Sequence, residues 1–328
     1  INDFIQGIVM LFGICAVIYS VLNGQGGFYS SLSKLAAQVP VEGDVIKVAG
    51  DGIFASFFGP DPLNLLGVII LTSLGTWGLP QMVGKFYAIK SEKSIKTGMI
   101  VSTAFAVVVS GGCYFLGGFG RLFSDKIDIA TGGYDSIIPT MLSTLPDILI
   151  GIVIVLVLSA SMSTLSSLVL TSSSTITIDF LGTTVLKKTA EKKQVLLMKI
   201  FVVVFVAISV IIALNKDSIP NIAQLMGYSW GALAGAFLAP FMYGLYWKKV
   251  TKASVWASFI FSIIVTVTNM IWGYIQSPIN AGAFTMLVSL IIVPVISLIT
   301  PKMKKEETDK LFECFEEKVE VPVKDALD

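Results

Sequence analysis

Eight stretches of this chain are long and apolar enough to be at home in only one solvent, the interior of a lipid bilayer. A spanning helix needs about 20 mostly apolar residues. Such runs occur at Phe4–Leu22, Pro62–Ala88, Lys96–Leu116, Asp147–Ser172, Leu196–Leu214, Pro220–Tyr246, Ala253–Tyr274 and Ala283–Thr300. Composition agrees, since only 14% of the 328 residues are charged, against about 25% in soluble domains. The expected fold class is an all-α polytopic membrane protein. Residues 1–300 form its transmembrane domain and residues 301–328 a charged tail, in which Asp309–Lys318 is a candidate surface helix.

Lysines orient the spans. One set of loops carries Lys85, Lys90, Lys93 and Lys96, then Lys187, Lys188, Lys192 and Lys193, then Lys248, Lys249 and Lys252, then Lys302, Lys304 and Lys305. In the alternate loops Lys34, Lys47, Arg121 and Lys126 are outnumbered by acidic residues. The positive-inside rule places the lysine-rich set, and with it both chain ends, in the cytoplasm. The expected location is the plasma membrane. Short amphipathic helices are expected in the external loops, over Ser30–Gln38 and near Ile137–Ser143. Ile1 runs almost at once into apolar sequence with no basic segment before it, which reads as the C-terminal part of a longer protein rather than a signal peptide.

Several chemistries are excluded early. The chain has no histidine, so Ser–His and Cys–His nucleophile pairs and imidazole metal sites are absent. The three cysteines, Cys15, Cys113 and Cys314, are far apart and read as small apolar fillers. An intramembrane aspartyl protease would need two embedded aspartates, and none occurs. The chain is therefore not read as an enzyme.

Two segments carry polar groups into the apolar runs. The first is Thr72–Phe86, TSLGTWGLPQMVGKF. Its proline removes one helical hydrogen bond, and the glycines around it weaken the helix further. Such breaks persist in membranes where they line a cavity or pack on protein. In secondary transporters, discontinuous helices of this kind face ion or substrate. A simple proline kink is the alternative. Thr72, Thr76, Trp77 and Gln81 are the candidate substrate-facing residues.

The second segment is residues 159–179, SASMSTLSSLVLTSSSTITID, in which 12 of 21 residues are Ser or Thr. On a helix Ala160, Ser163, Thr164, Ser167 and Thr171 share one face. Two hydroxyls and a backbone carbonyl, from Ser163, Thr164 and Ala160, make a cluster of neutral oxygens, the ligand type hard cations take. An exchanging monovalent ion, Na+, suits it better than a proton, which would call for an ionisable group inside the membrane. Small and hydroxyl residues also line ordinary helix–helix contacts, and that reading stays open. Asp179 reads as a surface residue at the helix end.

Four stretches together resemble the sodium:solute symporter family. They are Asn2-Asp3-Phe4-Ile5-Gln6, Gly78-Leu79-Pro80-Gln81 through Phe86, Ser161-Met-Ser-Thr-Leu-Ser-Ser167, and Tyr228-Ser-Trp-Gly-Ala-Leu-Ala-Gly-Ala-Phe237 with Pro240 and Trp247 beyond. The resemblance implies a leucine-transporter-like fold, of which this chain holds the last eight helices. It implies symport of Na+ with a small organic solute, such as a proline-like amino acid or pantothenate and related carboxylates. It puts part of a sodium site on Ala160, Ser163 and Thr164. Thr76 stands where the proline-transporting branch has an aromatic residue, and Leu79 and Gln81 replace that branch's Gln and His. Proton-coupled symport and a non-transporting nutrient sensor are the alternatives. The expected partners are a small-molecule substrate and the bilayer, with no nucleic acid; the residues leave the oligomeric state open.

Overall fold

A computed structural model describes residues 2–40, 44–48, 50–84, 89, 91–126, 133–184, 191–215 and 222–315. The helices are α1 (Asn2–Gly24), α2 (Phe28–Ala36), α3 (Pro62–Gly75), α4 (Pro80–Val83), α5 (Glu92–Gly118), α6 (Ile137–Leu142), α7 (Asp147–Ser174), α8 (Glu191–Leu214), α9 (Ile222–Tyr246), α10 (Lys252–Trp272), α11 (Pro278–Ile299) and α12 (Lys305–Phe312). Seven of them, α1, α5 and α7 to α11, are long and apolar enough to cross a membrane. The eighth expected span, Pro62–Ala88, is divided into α3, a 3-10 turn Thr76–Gly78 and α4, and its last residues, 85–88, lie outside the described ones. Both loop helices form where expected, within two residues at their ends. The tail helix starts four residues earlier than expected, and residues 316–318 of that expectation lie outside the described ones.

Local chemistry sets several helix ends. Asp61 Oδ1 accepts the Asn64 N–H at 3.0 Å and Pro62 opens α3. Thr251 and Ser277 cap α10 and α11 in the same way, and Pro278 is the first residue of α11. A side-chain oxygen satisfies a first-turn N–H that the helix itself leaves bare, and proline has no N–H there to lose. Gly273, at φ 62, ends α10 with its N–H on the Asn269 carbonyl.

The chain falls into two compact units. The first comprises Ile1–Lys34 and Ser102–Pro220. In it α1 packs against α5 through Gly112, which faces Ile14 and Ile18, and against α7 through Gly13, beside Leu156. Phe28, Phe115 and Phe119 form a ring cluster with centroids 5.2–6.4 Å apart.

The second unit comprises Leu35–Val101 and Asn221–Asp328. Its core joins Leu71 and Leu79 from the broken span to Ala234 and Leu238 of α9 and Ile279 and Met286 of α11. Backbones approach closely where glycines allow it. A Cβ on Gly231 would come within 2.7 Å of the Gly282 Cα, and one on Gly78 within 2.7 Å of the Ala234 Cα.

A buried hydroxyl seam runs between α9, α10 and α11. Ser289 donates to the Gly235 carbonyl at 2.5 Å, Thr285 to Gly231 at 3.0 Å, and Ser297 to Ser254 Oγ at 2.8 Å. Two of its members answer the prolines inside the helices. Pro240 brings no N–H to the carbonyl four residues earlier, that of Ala236, and the Ser258 hydroxyl donates to that carbonyl at 3.2 Å. Pro294 does the same to Leu290, whose carbonyl accepts the Tyr243 hydroxyl at 3.0 Å.

This pairing has a measurable signature. Ser258→Ala should lower stability by about 1 kcal/mol, because it strands the Ala236 carbonyl. In a Pro240→Ala background, where the helix supplies its own N–H, the same change should cost much less. Thermal unfolding of the four proteins in detergent completes the cycle; an equal cost in both backgrounds would refute the assignment.

Candidate functional site

The hydroxyl segment is helical throughout. α7 runs from Asp147 to Ser174 and continues as a π-helix over Thr175–Leu181. Ala160, Ser163 and Thr164 fall on one turn of it. Ser161 to Leu168 are exposed and Ala160 is half-buried. Neighbouring hydroxyls turn back into the helix. Ser166 donates to the Met162 carbonyl at 2.7 Å, Ser167 to Thr164 at 3.2 Å and Thr171 to Ser167 at 2.8 Å. Such back-bonding is the default for Ser and Thr on an apolar helix. Among the described residues the Ser163 and Thr164 hydroxyls make no hydrogen bond, so both present oxygen lone pairs outward.

One turn of this face is tied to α1. Gln6 Nε2 donates to Ser159 Oγ, the residue before Ala160. Sequence reading placed Gln6 in a motif without giving it a partner. The contact joins residues 153 positions apart, and no local signal marks it.

The π-helix was also missed. Thr177 within it is fully buried, and its hydroxyl has no partner among the described residues. Asp179 is exposed as expected, but it sits inside the π segment rather than at its end.

The broken span presents a different chemistry. Leu79, at φ −90 and ψ 112, is extended between the 3-10 turn and α4. Leu79 itself is buried, and the Met82 N–H returns to its carbonyl at 2.9 Å. An extended residue followed by proline cannot continue the helical ladder, so the run of helical hydrogen bonds is interrupted at Leu79. Thr72 and Thr76 lie one turn apart on one face, both half-buried. Thr72 donates to the Val68 carbonyl at 2.7 Å, leaving its lone pairs available as acceptors. Trp77 is 57% exposed. Gln81, half-buried, opens the far side of the break.

A further aromatic contact escaped the sequence reading. Trp230 of α9 lies against Gly75, where an added Cβ would come within 2.9 Å of its ring. It supports the turn that carries Thr76 and Trp77. The four candidate substrate residues thus lie along the broken span of the second unit, and the three candidate ion residues on one turn of the first.

Known proteins resemble this chain over most of its length. The model of a family described as the sodium:solute symporter family matches residues 1–261. An osmoregulated proline transporter of Bacillus subtilis is 23% identical over 316 residues, covering 96% of this chain and 61% of the relative. A sodium/pantothenate symporter of Haemophilus influenzae is 28% identical over 265 residues, covering 80% and 52%. A sodium/proline symporter of Staphylococcus aureus is 26% identical over 315 residues, covering 93% and 58%. The chain spans about half to three-fifths of the length of these relatives.

Removing a stranded hydroxyl should help the protein. Thr177→Val keeps the shape and deletes the unpaired group, so it should raise stability by about 1 kcal/mol. Ser173→Ala, which deletes a bond to the Val169 carbonyl at 2.7 Å, should not. Unfolding midpoints in detergent test both; a destabilised Thr177→Val protein would mean that the hydroxyl is bonded after all.

Proposed function

The chain belongs to the sodium:solute symporter family, and on that premise we propose that it is the ion- and substrate-bearing part of a sodium-coupled symporter for a small organic solute. The observation that carries the proposal is the pair of adjacent unbonded hydroxyls, Ser163 and Thr164, beside the Ala160 carbonyl on a helix where Ser166, Ser167 and Thr171 turn back onto their own backbone. With the second lone pair of the Ala160 carbonyl they offer three neutral oxygens on one turn. A sodium ion takes oxygen ligands and, held without a formal negative charge, exchanges readily. The remaining ligands are proposed to come from a core helix outside this chain, in a leucine-transporter-like fold.

Substrate is proposed to meet the broken span. Thr72 and Thr76 offer hydroxyl acceptors, Trp77 a flat apolar face, and Gln81 an amide that both donates and accepts. That set suits a molecule with an apolar body and a carboxylate or amide end. The relatives are named for proline and pantothenate, and an amino acid or a pantothenate-like carboxylate fits the same description. Coupling requires that ion and solute both favour the same conformation, so that each raises the other's affinity by an equal factor. The sodium gradient then drives alternating access between the two faces of the plasma membrane, with both chain ends in the cytoplasm.

Uptake into proteoliposomes tests this directly. Ser163→Ala and Thr164→Ala should each raise the half-saturating sodium concentration about tenfold, the size expected for losing one charge-assisted ligand. Ser172→Ala, off that face, should leave it unchanged. Gln81→Ala should instead weaken apparent affinity for the solute. Solute uptake that is indifferent to sodium would remove the proposal.

A further inference from the structure

The tail helix α12 carries a feature that symport does not need. Thr308, Leu311 and Phe312 of α12 recur at i, i+3 and i+4 and so share one face, and the 3-10 turn Glu313–Phe315 that follows brings Phe315 beside Phe312. Glu306, Asp309, Lys310 and Glu313 repeat the same spacing two residues earlier, about 200° around the helix on the opposite face. The Phe312 and Phe315 rings stack with centroids 5.6 Å apart. Yet Leu311 is 63% exposed and Phe315 62%. Water is a poor neighbour for such a face.

Three observations say where that face lies. Lys248, just past the end of α9, donates to Asp309 Oδ1 at 3.0 Å, and its ammonium stands 5.4 Å from the centre of the Phe312 ring. The pair fixes the polar side of α12 to the end of α9. Thr251, at the start of α10, shares a hydrogen bond of 2.7 Å with Thr300, the residue after α11. The ends of three long apolar helices therefore meet at this point. Five residues separate α11 from α12, a reach of no more than roughly 17 Å.

The surroundings are those of a membrane surface. Exposed Tyr246 ends α9, and exposed Trp256 follows one turn into α10. Aromatic residues at helix ends mark the level of the lipid headgroups. Lys248, Lys249, Lys252, Lys302, Lys304 and Lys305 are exposed at the same end. Glu306 and Asp309 of α12 and Glu313 beyond it point away from that face, and Glu307 flanks it beside Leu311. This is the charge order expected of a helix lying on anionic lipid, with cations at the headgroups and carboxylates in water.

We propose that α12 is an interfacial helix: Leu311 and Phe315 enter the headgroup layer of the lysine-bearing leaflet, and the surrounding lysines hold the phosphates of anionic lipids. The ion pair to Lys248 and the Phe312 contact set its rotation, so the α9–α10 turn holds the flank of the helix beside the face that meets the bilayer. The tail thereby links the charge of the membrane surface to the mouth of the α9–α11 bundle.

Site-directed spin labelling of the full chain tests this. Cys15, Cys113 and Cys314 are replaced by serine, and single cysteines are introduced as Leu311→Cys, Phe315→Cys, Glu306→Cys and Glu313→Cys. The proteins are reconstituted in phosphatidylcholine vesicles with or without phosphatidylglycerol. Labels at 311 and 315 should collide with dissolved oxygen more than with a water-soluble nickel chelate; those at 306 and 313 should show the reverse. Phosphatidylglycerol should lower nickel access at 311 and 315 about threefold or more, and Lys302→Gln with Lys304→Gln should cancel most of that change. Inorganic phosphate in place of phosphatidylglycerol should have no effect. Four labels equally open to nickel in both vesicles would overturn the proposal. So would shielding at 311 and 315 that comes with spin–spin broadening and grows with protein density, which would mean that a second copy covers the face.

Discussion

In hydrocarbon a bare backbone carbonyl has no water to turn to, and the second unit is organised around that cost. Pro240 and Pro294 each free one carbonyl in the middle of a long helix. Ser258 and Tyr243 reach across from neighbouring helices to take them. In the same unit glycines bring backbones together, with Gly231 against Gly282 and Gly78 against Ala234. Kinks, hydroxyls and glycines are thus one arrangement. Removing any one leaves another without its reason.

The same rule separates the two candidate functional features. At the broken span the backbone itself leaves the helix, with Leu79 extended and buried on the α9 packing surface. At the hydroxyl helix the backbone is intact, and the side chains provide the oxygen. There Ser166, Ser167 and Thr171 satisfy themselves on the preceding turn. Ser163 and Thr164 do not. Two unsatisfied hydroxyls on an exposed helical face are costly against lipid and useful against a cation.

Much of this was legible in the chain. Length and hydropathy marked the seven long helices and the interrupted one to within a few residues at most ends, since the bilayer thickness sets a minimum length that few other folds demand. The start of α11, like that of α8, was missed by five residues. It was expected at Ala283 and lies at Pro278, because Ser277 caps it and Pro278 opens it, a signal of hydrogen bonding rather than hydropathy. The polar residues Ser254, Ser258, Ser262, Thr266 and Asn269 of α10 were likewise passed over as incidental. They form the buried stripe of that helix; Ser258 bonds to α9, Ser262 and Ser254 to Ser289 and Ser297 of α11, each more than 20 residues away, and Asn269 holds Ile275 just beyond its own helix.

The residues alone determined that the chain is helical and membrane-spanning, where one span breaks, and which turn carries adjacent Ser and Thr. These follow from composition, spacing and the covalent limits of proline and glycine, which act within a few residues. Only the tertiary structure decided which hydroxyls are spent and which are free, that Gln6 meets Ser159, and that two side chains replace the donors lost to Pro240 and Pro294. Those outcomes depend on which helices become neighbours, and hydropathy, being the same on every side of a lipid-facing helix, does not encode that choice.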